Sequence, residues 1–129
     1  TVLSGMSTME QVLDNISYMK DFKPLSEEEQ NTIKKAQKAL DAIESIPCTA
    51  CRYCTPGCPM GIEIPDIFKA MNWYKIYGMK DKAKDRYEST VQKSAKASEC
   101  IECGQCEGVC PQQLPIIKYL KECADVLEE

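Results

Sequence analysis

The chain has 129 residues, 43% of them apolar, enough to bury one modest core. Sixteen basic residues against twenty acidic ones leave a formal charge of −4, which argues against the clustered positive surface that nucleic acids require. There are nine cysteines and no histidine, so mixed Cys/His zinc sites, histidine-ligated two-iron centres and Ser–His or Cys–His catalysis are excluded.

Residues 1–5, TVLSG, are a short apolar piece without the basic–apolar–small pattern of a leader peptide. STME at 7–10 has the form of a capping box, with Ser7 accepting from the backbone N–H of residue 10 and Glu10 reaching back. Val12, Ile16 and Met19 then recur at helical spacing and predict a helix over 8–20, broken by DFKPL. SEEE at 26–29 is a second capping box. The helix it opens carries Ile33, Ala36, Leu40 and Ile43 on one side, and Pro47 marks its end.

The first cysteine run follows, CTACRYCTPGCP at 48–59. Beyond it, Pro65 suits a first helical turn, Ile67, Phe68, Met71 and Tyr74 make an apolar stripe, and Gly78 is a natural C-cap. Residues 80–93 read as a charged helix whose lysines, Lys80, Lys82 and Lys84, form a solvated face. A second run, CIECGQCEGVCP at 100–111, repeats every cysteine and the proline of the first at an offset of 52. Ile116, Ile117, Leu120 and Leu127 then give another helical stripe. CPMGIEIPDIF and CPQQLPIIKYL read as two copies of one unit, the second two residues shorter. Nothing alternates at period two, so the body is predicted to be helical. No apolar run is long enough to cross a bilayer, and the thiol-rich pattern predicts a reduced, cytoplasmic chain without membrane insertion.

Both runs have the spacing C-x2-C-x2-C-x3-C-P. Three thiolates at these short intervals can wrap one corner of a 4Fe-4S cubane, with Gly57, Gly104 and Gly108 expected to take positive φ where the chain turns tightly. The fourth cysteine, carried away by three spacers and a proline, ligates the other cluster in two-cluster ferredoxins. The expected ligand sets are therefore Cys48, Cys51, Cys54 and Cys110 for one cluster, and Cys100, Cys103, Cys106 and Cys58 for the other. Structural zinc is the rival reading, but it joins two separated C-x2-C pairs and leaves the third cysteine and the C-P unexplained. Cys123 lies outside both runs and reads as a buried apolar filler. Trp73, Tyr74 and Tyr77 could shield a cluster but read as core, and Glu63 and Asp66 read as charges at a helix start rather than acid–base catalysts. Arg52 lies in the first run while Glu99, Glu102 and Glu107 surround the second, which predicts a lower potential for the second cluster.

Two runs separated by mostly helical sequence resemble the alpha-helical ferredoxin domain of respiratory iron–sulfur subunits and multidomain redox enzymes. VLSGMSTMEQVLDNI, residues 2–16, is similar to the last strand and following helix of the aldo/keto reductase (β/α)8 barrel. Together they resemble the C-terminal part of bacterial aldo/keto reductases that carry a ferredoxin-like extension. This implies a barrel remnant at 1–22 and a ferredoxin-like domain at 23–129. In that family the turn and helix start hold the adenosine end of a nicotinamide cofactor, NAD or NADP, in the intact parent. The matching positions are Gly5, Ser7, Gln11, Asp14 and Asn15, and the basic residues many relatives set against a 2′-phosphate are replaced by Gly5, Met6 and Gln11. The family's catalytic residues lie earlier in its chain, so no catalysis is expected of this segment alone. The function expected is electron transfer to or from an attached reductase barrel or a redox partner protein. The alternative is a structural or interaction domain whose helices are held together by metal.

Overall fold

The computed structural model describes residues 3–129, so Val2, expected in a barrel strand, lies outside the described residues. The chain divides into two compact units, Thr1–Ala42 and Ile43–Glu129.

The first unit holds α1 (Met9–Lys20) and α2 (Glu27–Asp41). Both begin with capping boxes. The box of α1 is one residue later than expected: Thr8 accepts from the Gln11 N–H, and the Gln11 side chain accepts from the Thr8 N–H. At α2 the pair is Ser26 and Glu29, as the sequence indicated. No strand occurs among the described residues, and Leu3 to Met6 have no regular structure. A strand needs a neighbour to take its N–H and C=O groups, and the described residues offer none. Helix α2 stops at Asp41, earlier than Pro47 suggested, and Ile33, Leu40 and Ile43 are exposed. The residue before a proline disfavours the helical basin, and the chain has no regular structure where it reaches Ile46.

The second unit is built on α3 (Ile64–Tyr77), α4 (Lys80–Val91) and α6 (Ile116–Leu127), with a four-residue helix α5 (Gln105–Gly108) inside the second cysteine run. Pro65 sits in the first turn of α3, where its missing N–H costs nothing, and Gly78 ends the helix at φ 67°. Helix α3 packs on both α4 and α6. The core is Ile67, Phe68 and Met71 from α3, Ala83 and Tyr87 from α4, and Ile116, Leu120, Cys123 and Leu127 from α6. Tyr77 and, marginally, Tyr74 are exposed rather than core, because they lie off the buried stripe of α3. Trp73 is half-buried beneath Arg86 and Lys82, whose charged groups lie 5.3 and 5.9 Å from its ring centre.

The repeat is more regular than the sequence suggested. Helix α6 starts at Ile116 and α3 at Ile64, the same offset of 52 as the cysteines, so the second copy is not shortened. Pro115 is the counterpart of the N-cap Glu63, and Ile117, not Pro115, is the counterpart of Pro65. The turns match bond for bond. Cys58 N–H donates to Thr55 O at 3.1 Å as Cys110 N–H does to Glu107 O at 3.2 Å. Gly61 N–H donates to Cys58 O at 3.1 Å as Gln113 N–H does to Cys110 O at 3.0 Å.

Candidate metal centre

Neither cysteine run forms a regular element long enough to hold its own shape, so turns and outside contacts must set its path. Left-handed backbone occurs at Ala50, Arg52 and Gly61 in the first copy, with φ of 55°, 63° and 68°. In the second copy it occurs at Glu102, Gly104 and Gln113, with φ of 57°, 75° and 52°. These are the same three positions at the same offset. Of the glycines expected in this role only Gly104 fills it; Gly57 does not take positive φ, and Gly108 is helical. Four non-glycine residues accept the strained basin instead, at about 1–3 kcal/mol each. Backbone strain of this kind concentrates at ligand clamps, and turns of this type form anion-binding concavities at iron–sulfur sites.

Outside contacts pin the start of each run at the same point. Two residues before Cys48, Ile46 donates to Asn72 Oδ1 at 2.7 Å and accepts from Asn72 Nδ2 at 2.9 Å. Two residues before Cys100, Ser98 donates to Glu128 from its N–H at 3.0 Å and from its hydroxyl at 2.6 Å. Tyr87 also donates to Glu128, and accepts from the Ala97 N–H at 2.8 Å. Each run is therefore fastened to a helix of the second unit: to α3 for the first, to the end of α6 for the second.

Burial pushes the Glu128 carboxyl up, but the hydrogen bonds from Ser98 and Tyr87 outweigh it and hold its pKa below the usual range. A depressed carboxylate stabilises the fold above its unfolded pKa, about 4.3, and loses that contribution as pH falls through its folded value. Glu128→Ala is expected to destabilise the second unit by about 2 kcal/mol at neutral pH, the scale of a charged hydrogen-bond network left with unpaired donors. The difference from the parent should shrink in acid. Urea titration at pH 7 and below pH 4 measures both.

The cysteines line two small cavities, each drawing on both runs. One is lined by Cys48, Cys51, Cys54 and Cys110 over Phe68, Leu114 and Ile116. The other is lined by Cys58, Cys100, Cys103 and Cys106 over Leu120, Ile62 and Ile64. All but one residue of each lining has its counterpart in the other at the offset of 52. Among the described residues, no three Cys, Asp or Glu side chains converge as a single bound ion would require. Four thiols around an apolar floor suit a larger, sulfur-rich group, and a 4Fe-4S cluster fits this donor set.

None of the nine cysteines is paired in a disulfide. In each run the second cysteine, Cys51 or Cys103, is exposed and the third, Cys54 or Cys106, is buried. Burial pushes the Cys54 thiol up and the Cys106 thiol up to about 11. Ligation therefore has to displace protons. Cys123 lines neither cavity, is fully buried, and is pushed up to about 12 by that burial.

The charges around the runs are partly compensated. Arg52 forks between Glu63 at 2.8 Å and Asp66 at 2.7 Å, so those two acids brace the first run against the start of α3. Glu102 pairs with Lys121 at 2.9 Å, Glu107 accepts from the Ile117 N–H at 2.9 Å, and Glu99 accepts from the Lys96 N–H at 2.8 Å. Of the residues matched to nucleotide binding, Ser7 N–H donates to Gln11 Oε1 at 2.7 Å, and Asn15 Nδ2 donates to Ser4 Oγ at 3.2 Å. Asp14 accepts from the Tyr18 hydroxyl at 3.1 Å, and Gly5 lies in the irregular segment before α1. They share one helix start, with the side chains of Gln11, Asp14 and Asn15 engaged locally.

The 4Fe-4S dicluster domain family matches residues 47–115, which include both cysteine runs. The chain belongs to that family. It is similar to a subunit of the ion-translocating oxidoreductase complex of Buchnera aphidicola, 28% identical over 88 residues, 68% of this chain and 16% of that protein. It is also similar to the probable glycolate oxidase iron-sulfur subunit of Bacillus subtilis, 29% identical over 100 residues, 78% of this chain and 22% of that protein. The chain thus spans less than a quarter of the length of either relative. No solved structure matches. The family match begins at residue 47, so the segment that resembles the reductase barrel lies outside it. No helix of the described residues is long and apolar enough to cross a membrane.

Proposed function

We propose that this dicluster domain is an electron-transfer module holding two 4Fe-4S clusters with crossed ligands. Cys48, Cys51, Cys54 and Cys110 would hold the first, and Cys100, Cys103, Cys106 and Cys58 the second. The observation that carries the reading is the grouping of the cysteines into two cavities, each with three thiols from one run and one from the other. When bound, the clusters supply one-electron redox chemistry. The chain's own part is to ligate and to keep water away. Phe68, Leu114 and Ile116 shield one site, and Ile62, Ile64 and Leu120 the other. The exposed Cys51 and Cys103 mark the edges nearest solvent, where a redox partner protein would approach. Names of both relatives refer to oxidoreductase systems, which agrees with this role. Cysteines used as cluster ligands rather than in disulfides suit a reducing compartment such as the cytoplasm.

Parentage in an aldo/keto reductase, with NAD or NADP bound through Gly5, Ser7, Gln11, Asp14 and Asn15, rests on the resemblance of residues 2–16. In that setting the attached barrel would be the electron partner. The chain as it stands is expected to show no carbonyl reduction with NADH or NADPH.

The test is anaerobic purification, iron, zinc and sulfide analysis, and a visible spectrum followed through reduction and reoxidation. Iron with acid-labile sulfide and a reversible loss of charge-transfer absorption support electron transfer. Zinc, or iron that cannot be reduced reversibly, favours the purely structural domain.

A further inference from the structure

We infer that the Thr55 hydroxyl donates a hydrogen bond to sulfur at the first cluster and so sets the potentials of the two clusters apart. The inference rests on the two-cluster reading and deepens it. Thr55 Oγ1 is the one buried side-chain nitrogen or oxygen left without a partner among the described residues. A buried hydroxyl with nothing to bond is costly, so such an atom calls for a partner.

The repeat explains why the chain itself does not supply one. The counterpart of Thr55 is Glu107, whose carboxylate accepts from the backbone N–H of Ile117 at 2.9 Å. The counterpart of Ile117 is Pro65, which has no N–H to give. A carboxylate at residue 55 would be stranded beside that proline; a hydroxyl can turn round and donate. The Thr55 carbonyl is already taken by the Cys58 N–H at 3.1 Å. Thr55 directly follows Cys54 along the chain, so the sulfur of that site is the acceptor beside a hydroxyl that the protein leaves without a partner. Cys54 lines the first cavity and is itself 8% exposed.

A donor beside cluster sulfur stabilises the charge added on reduction and raises the potential. The second cluster has an acceptor-only carboxylate at the equivalent position, already engaged with Ile117. Both differences point the same way: the first cluster is the more easily reduced, and an electron on the domain rests there. Thr55 is a tuning residue, acting through Cys54 rather than as a ligand.

The test is a redox titration of the holoprotein followed by EPR, with the two signals assigned through the cysteine variants. Thr55→Val, which keeps the shape and loses the hydroxyl, is expected to move the first cluster to lower potential and leave the second where it was. Thr55→Ser should restore the parent value. Electron–nuclear double resonance on the reduced parent protein should show an exchangeable proton coupled to the first cluster, a readout that holds even if the valine variant loads poorly. Loaded Thr55→Val with both potentials unmoved, or both moved alike, overturns the inference while the two-cluster reading stands, as does absence of the exchangeable proton. A parent protein that binds no cluster overturns that reading and the inference with it.

Discussion

Replacing Cys58 with Ala is expected to abolish the cluster of the second run while the first survives, and Cys110→Ala to do the reverse. The effect is close to all-or-none, because a cubane missing one of its four thiolates is left with an open iron. The reasoning is local. Each fourth cysteine closes a matched turn, with the Cys58 and Cys110 N–H groups bonded to Thr55 and Glu107. Cys58 lines the cavity of Cys100, Cys103 and Cys106, and Cys110 that of Cys48, Cys51 and Cys54. Cys123→Ser should leave both clusters in place, since that thiol lines neither cavity. EPR of the reduced variants reads all three outcomes.

Removing the clusters is expected to unfold most of the second unit. Between Ile43 and Glu63 it has no helix, and between Gln92 and Pro115 only a three-residue turn and α5. The apolar floors of the cavities, including Phe68 and Leu120, are also the inward faces of α3 and α6. A core of this size is marginal alone. In small metal domains the binding free energy, about 10 kcal/mol or more, is also folding free energy. Anaerobic chelation should therefore abolish the cooperative transition of this unit. Circular dichroism should fall without vanishing, since α1 and α2 belong to the other unit. An apoprotein with an unchanged melting temperature would show that the helices stand without the clusters.

Much of the site was legible because cysteine spacing constrains where a short loop can go. The offset of 52 between the runs carries through the turns into both helices, further than the matching of Pro65 with Pro115 suggested. That matching failed because proline suits both a first turn and an N-cap, and the sequence does not distinguish them. The α1 cap was ambiguous in the same way, since STME and TMEQ each fit the capping-box pattern and only the second forms. The left-handed positions were hidden, because Ala50 and Glu102 carry no local sign of positive φ. The clamps by Asn72 and Glu128 link residues 26 and 30 positions apart, beyond the reach of any pattern within one element. The orphan hydroxyl of Thr55 is a matter of burial, which no spacing in the sequence carries.

The most direct measurement is a crystal structure of the anaerobically purified protein with anomalous data at the iron edge. The account predicts two four-iron centres, one bonded to Cys48, Cys51, Cys54 and Cys110, the other to Cys100, Cys103, Cys106 and Cys58. A centre in which Cys58 joins Cys48, Cys51 and Cys54, or single metal ions in place of clusters, would contradict it.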